Sequence, residues 1–110
     1  MKNRIAIRAF LCCMIAAAVA APAFAADHKI TQSDKMFSQT EITIKVGDTI
    51  TFVNGDEVTH NVYSVTSGLA FDLQRQAPGA SSTVPFPKEG TAEVQCSIHP
   101  KMKLLVHVKK

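Results

Sequence analysis

Residues 26–110 are predicted to form an all-β fold, and three observations carry that reading. Apolar and polar residues alternate at strand spacing, turn residues break the alternation every few positions, and no segment keeps apolar spacing of three and four over a dozen residues. About seven to eight short strands of this kind suggest a sandwich or a barrel.

The elements follow in order. His28 to Ser33 reads as the first strand, and Met36 and Phe37 as packing residues behind it. Ile42, Ile44 and Val46 alternate with Thr43 and Lys45, Gly47-Asp48 supplies a turn, and Ile50 and Phe52 alternate with Thr49 and Thr51 before Asn54-Gly55. That pattern predicts a β-hairpin, followed by a second turn. Asp56-Glu57 reads as a solvated face. His60 to Thr66 is the next expected strand, whereas Gly68 to Gly79 is weakly patterned and reads as a long surface connection with a short paired piece around Phe71 to Leu73. Ser81 to Phe86, Thr91 to Gln95 and Lys103 to Lys109 complete the set, and Lys109-Lys110 is a charged terminus.

The first 25 residues have a different character. Lys2, Arg4 and Arg8 precede the apolar run Ala9 to Ala21, and Ala23-Phe24-Ala25 ends it. A charged start, an apolar stretch too short to span a bilayer and an A-x-A end are the layout of a secretory signal peptide, so cleavage is expected after Ala25. The chain has 12 basic and 9 acidic residues, a formal net charge of +3. Three of the basic residues and none of the acidic ones lie in the leader, so the remaining 85 residues are formally neutral. Such a chain has no charge argument for nucleic acid, and its length suits one small domain, residues 26–110, without a deep catalytic cleft. Cys12 and Cys13 leave with the leader, and Cys96 becomes the one exported cysteine. A lone thiol in an oxidising compartment is buried, paired to another chain or held by a metal. No later apolar stretch is long enough to span a membrane, and the expected product is a monomer of the periplasm.

Strand phase places the reactive side chains. Ala92, Val94 and Cys96 share the apolar face of their strand, and His60 shares the phase of Val62, so both are expected to point inward at strand ends. Cys96-Ser97-Ile98-His99-Pro100-Lys101-Met102 then puts a thiolate, an imidazole and a thioether in one tight loop. A soft thiolate, two imidazoles and a weak thioether suit copper cycling between Cu(I) and Cu(II), with His60 as the second imidazole. Structural zinc sites seldom recruit methionine. His28, at the start of the mature chain, and His107, in phase with Lys103 and Lys109, read as solvated bystanders.

Val46 to Asn54, His60-Asn61-Val62 and Cys96 to Met102 resemble the cupredoxins, the small blue copper proteins, and within them the plastocyanin-like amicyanin group with its short C-x2-H-P-x-M loop. The resemblance implies a Greek-key β-sandwich in which His60, Cys96, His99 and Met102 bind one copper ion, and an electron-carrier role between redox partners in the periplasm. It also implies that Asn61 tethers the loop of Cys96, and that His99 is the electron exit. Pro100 stiffens the loop by removing a backbone donor. Lys101 and Lys103 flank that exit with positive charge that would favour an acidic partner surface. The chain departs from the family at Ala92 and Val94, where aromatic residues are usual, at Lys101, where an apolar residue is usual, at Leu104, where glycine is common, and at Thr59, where proline is common. A second reading keeps the ligands but makes the protein a periplasmic copper-trafficking protein. An enzyme is not expected, because a saturated mononuclear site leaves no open position for a substrate and no nucleophile–base pair stands out.

Overall fold

The computed structural model describes residues 25–110. Apart from Ala25, the leader read at 1–25, with Cys12 and Cys13, lies outside the described residues.

The described chain holds β1 (Asp27–Ser33), β2 (Met36–Phe37), β3 (Glu41–Lys45), β4 (Thr49–Asn54), β5 (His60–Ser64), β6 (Phe71–Gln76), β7 (Ser81–Pro85), β8 (Gly90–Cys96) and β9 (Lys103–Lys109). They form a four-stranded sheet in the order β2-β1-β4-β7 and a five-stranded sheet in the order β3-β9-β8-β5-β6. The expected all-β sandwich is therefore present. Both sheets are mixed, because β1 runs parallel to β4 and β3 runs parallel to β9.

The hairpin expected across Gly47-Asp48 does not form: β3 joins β9 in one sheet and β4 joins β1 and β7 in the other. Alternation shows that two segments are strands but not that they pair with each other. Here the turn residues bond to third parties instead. Val46 N–H donates to Lys109 O at 2.8 Å, Gly47 N–H to Phe86 O at 2.9 Å and Phe86 N–H to Asp48 O at 3.0 Å. Gly47 has φ of 90°, a left-handed conformation that glycine adopts without a Cβ penalty. This turn carries the chain from one sheet to the other.

The segment read as a surface connection contains the six-residue strand β6. Its pairing with β5 shifts register between Asn61 and Tyr63, and Gln74 sits at φ of 56° with its N–H donating to Asp72 Oδ1 at 2.6 Å. The irregularity puts Gln76 in the interior out of phase with Phe71 and Leu73, which erases the period-two signal. Met36 is 48% exposed while Phe37 is buried, so only the second of the pair packs into the core.

Ile30, Ile50 and Phe52 from one sheet face Val62, Val94, Leu104 and Val106 from the other, all fully buried. Phe71 lies over Phe52 at a centroid distance of 5.8 Å and meets Phe86 edge-on at 6.0 Å. Ala92 and Val94 are fully buried beneath the strand end that carries Cys96.

Candidate metal centre

Adjacent strands of the five-stranded sheet bring the first two donors together. Val62 on β5 is opposite Cys96 on β8, and His60 shares the inner face of β5 with Val62. The predicted phases hold, since His60, Val62, Ala92, Val94 and Cys96 are all buried. Residues 97–102 connect β8 to its neighbour β9, so the loop folds back over the same sheet end. Met102 N–H donates to His99 O at 2.9 Å, closing a turn with Pro100 at its second position, where the fixed φ of proline suits a β-turn. Met102 is fully buried, His99 is half-buried and Lys101 is exposed.

Three donor atoms converge there. His60 Nδ1 lies 3.7 Å from Cys96 Sγ, His99 Nδ1 lies 3.9 Å from the same sulfur, and the two Nδ1 atoms are 3.2 Å apart. The two rings meet edge-on at a centroid distance of 4.9 Å. Bonds of about 2.0 to 2.3 Å, the lengths found for imidazole and thiolate on zinc, span such a triangle from near its centre. A thiolate with two imidazoles in a trigonal set is the donor chemistry of a copper centre that cycles between oxidation states. The residues present therefore fit one copper ion.

Sequence reasoning missed what orients His60. Asp56, read as part of a solvated face, accepts a hydrogen bond from His60 Nε2–H at 2.6 Å. A carboxylate only accepts, so the proton belongs on Nε2 and the lone pair of Nδ1 faces Cys96. The same carboxylate accepts the N–H groups of Asp34 at 2.7 Å and Lys35 at 2.9 Å. Those two residues have φ of 54° and 58° and join β1 to β2, the two-residue hairpin turn in which both central residues are left-handed. Burial would raise the Asp56 pKa, but the Lys35 N–H, the His60 ring and the Asp34 N–H outweigh it and hold the carboxyl below its usual range. Asn54 fixes the loop that carries Asp56. Its amide donates to Val58 O at 2.9 Å and to Gln76 O at 2.8 Å, and its Oδ1 accepts from Asp56 N–H at 2.9 Å. A carboxylate four residues before a candidate ligand, just after an Asn-Gly turn, was the signal available in the sequence.

Asn61, expected to tether the loop of Cys96, reaches the sulfur itself through its backbone: Asn61 N–H donates to Cys96 Sγ at 3.3 Å. Of the two lysines expected beside His99, Lys101 lines a hollow with Met36, Ile98, His99 and Pro100, whereas Lys103 Nζ lies 3.7 Å from Glu93 Oε1. His28 and His107 stand outside the His60, Cys96 and His99 group, as expected, but each has a protein partner and is not simply solvated. His28 Nε2 bonds Asp48 Oδ2 at 2.9 Å, and His107 lies 3.1 Å from Thr91 Oγ1 and 3.7 Å from Glu41 Oε1.

Two facing sheets with a buried thiolate and two imidazoles gathered at one end define a class of mononuclear copper-binding β-sandwich. Residues 25–109 match the copper binding proteins of the plastocyanin/azurin family, and the chain belongs to that family. It is similar to the methylamine utilization protein MauL of Methylophilus methylotrophus, 34% identical over 73% of this chain and 49% of that protein. It is also similar to amicyanin of Paracoccus denitrificans, 31% identical over 61% of this chain and 53% of that one. The chain thus spans about half the length of these two relatives. Among solved structures, a Cu(I) amicyanin variant superposes with a TM-score of 0.70 at 26% identity, over 76% of this chain and 82% of that one. A purple cupredoxin from Nitrosopumilus maritimus superposes with a TM-score of 0.67 at 28% identity, over 76% of this chain and all of that one.

Proposed function

We propose that this chain is a type 1 (blue) copper electron carrier of the periplasm, and not an enzyme, with His60, Cys96, His99 and Met102 as ligands. The observation that carries the reading is the buried triangle of His60 Nδ1, Cys96 Sγ and His99 Nδ1. Copper bound there supplies a one-electron Cu(I)/Cu(II) couple. Every other part of the work belongs to the protein. The β5 and β8 strands, Asp56 and the His99-to-Met102 turn hold the donor atoms in one arrangement, which limits rearrangement when the charge changes. Asn61 N–H, aimed at the sulfur, withdraws electron density from the thiolate and so tunes the potential. Met102, buried on the same loop, would supply the weak thioether as a fourth donor.

His99, on the rim between Ile98 and Pro100, is the proposed electron exit toward a redox protein that serves as donor or acceptor. The leader-like residues 1–25 support export with cleavage after Ala25. The relatives named amicyanin and methylamine utilization protein support a carrier of this type.

Adding Cu(II) to the purified protein tests the reading. An intense visible thiolate-to-copper charge-transfer band should appear, survive repeated reduction and oxidation, and disappear in Cys96→Ser. Colourless protein would refute the blue-copper reading. Copper surrendered at once to a competing acceptor protein would instead mark a trafficking role.

A further inference from the structure

Away from the Cys96 centre, Ala26, Asp27 and His28 converge with Asp48 where β1 begins. Ala26 N donates to Asp48 Oδ1 at 2.9 Å, and His28 Nε2 lies 2.9 Å from Asp48 Oδ2, so one carboxylate holds both nitrogens close together. Cleavage after Ala25 would turn the Ala26 nitrogen into an α-amino group and make His28 the third residue of the mature chain. A free amine, two backbone amides and an imidazole on three consecutive residues can close fused chelate rings around one ion and present four nitrogens in a plane. Planar nitrogen coordination selects Cu(II) and Ni(II).

We infer that the mature amino terminus, Ala26-Asp27-His28, is a second metal site, specific for square-planar Cu(II) or Ni(II) and separate from the Cys96 centre. This inference rests on cleavage after Ala25. On binding, the α-ammonium and the two amides of Asp27 and His28 release their protons, and four metal–nitrogen bonds replace the two contacts to Asp48. The His28 Nε2 that faces Asp48 leaves Nδ1 as the ring nitrogen within reach of its own backbone. The first pairs of the β1–β4 ladder, Asp27 with Thr49 and His28 with Ile50, have to open. The Thr49 N–H bond to Ala26 O and the Thr49 and Thr51 hydroxyl bonds to Asp27 open with them, but no core contact is lost, because the first fully buried apolar side chain of β1 is Ile30. A chain terminus is where such opening is easiest.

Charge distinguishes this mode from simple capture of a cation. Lys45, Lys109 and Lys110 line the same hollow as Ala26, His28 and Asp48 and would repel a bare divalent ion. Two deprotonated amides cancel the charge of that ion, so the four-nitrogen chelate is formally neutral and meets no such repulsion.

The test uses protein exported with its own leader, its first residue established by intact mass and its Cys96 centre loaded with copper beforehand. Nickel chloride is then added, and bound nickel is measured after desalting together with the absorption of square-planar Ni(II). A chain beginning at Ala26 should retain one nickel per molecule. His28→Ala should retain none, and neither should a chain that keeps Ala25, which moves the histidine to the fourth position without altering any side chain. Both should keep the blue band. A chain that begins at Ala26 and takes no nickel, or a His28→Ala protein that still takes it, overturns the site. A different first residue overturns it as well, and the mass separates that failure from the others. Nickel uptake that depends on His28 in a protein without a blue band would count against the copper reading and leave this one standing.

Discussion

Asp56 does two jobs with one carboxylate. It fixes the tautomer of His60 through Nε2 and ties the left-handed turn at Asp34-Lys35 to the same ring. Partners of this kind raise the basicity of a ligand and hold its ring plane, and their loss typically costs about 10- to 100-fold in metal affinity. Asp56→Asn should therefore bind Cu(I) more weakly by about that factor in a competition with a chromophoric chelator, and its charge-transfer band should shift in position or intensity. Unchanged affinity and spectrum would reduce Asp56 to a loop anchor. Asp56 was hidden in the sequence because an acidic pair after an Asn-Gly turn is usually solvated, and only the close approach of the 33–36 turn encloses it. Cys96, His99 and Met102 were legible because the end of β8 and the loop that follows carry all three within seven residues.

At the scale of elements, the turn at Gly47-Asp48 shows where local pattern runs out. Ile42 to Phe52 carries the sequence marks of a hairpin, yet the backbone groups of the turn bond to Phe86 and Lys109 and send the chain across the sandwich. Asp48 seals this crossing. Its hydrogen bond with His28, together with the N–H groups of Lys45 and Ala26, lowers its pKa from 3.8 to about 2 against the opposing effect of burial. A carboxyl with a depressed folded-state pKa stabilises the fold fully above its unfolded value, here 3.8, and loses that contribution as the pH falls toward 2. Melting temperatures recorded without added nickel should thus show Asp48→Asn less stable than the parent protein at neutral pH, with the gap closing across that acid window. A gap independent of pH would mean that the carboxylate charge is not what holds the turn. Only the Phe71 to Leu73 part of β6 was legible, for a different reason, since the bulge against β5 and the left-handed Gln74 break the alternation that announces the rest of the strand.

For the whole molecule, core and rim respond to different changes. Phe52 is fully buried between the sheets, and Phe52→Ala should cost about 3–5 kcal/mol in a denaturant titration. Lys101 is exposed beside His99, and Lys101→Glu should change stability by no more than about 0.5 kcal/mol. The same reversal should alter the rate of electron transfer with a redox partner and its dependence on ionic strength, because a rim charge acts mainly on encounter. Stopped-flow measurements over a salt series would show this, and unchanged rates would remove Lys101 from the docking surface. Lys103 should matter less, since Glu93 partly answers its charge.

The sequence by itself determined the β class, the inward phase of His60 and Cys96, and the loop that supplies His99 and Met102. Each of those depends on the period of two along a strand or on residues a few positions apart, and local chain geometry is enough to set them. Tertiary structure alone decided which strands pair, that β3 and β4 belong to different sheets, that Asp56 reaches the ring of His60, and that Asp48 gathers Ala26 and His28. Those contacts join residues whose proximity is imposed by the packing of two sheets, and the hydrogen-bond partners of a turn or a carboxylate are chosen by whatever backbone and side chains that packing brings within about 3 Å.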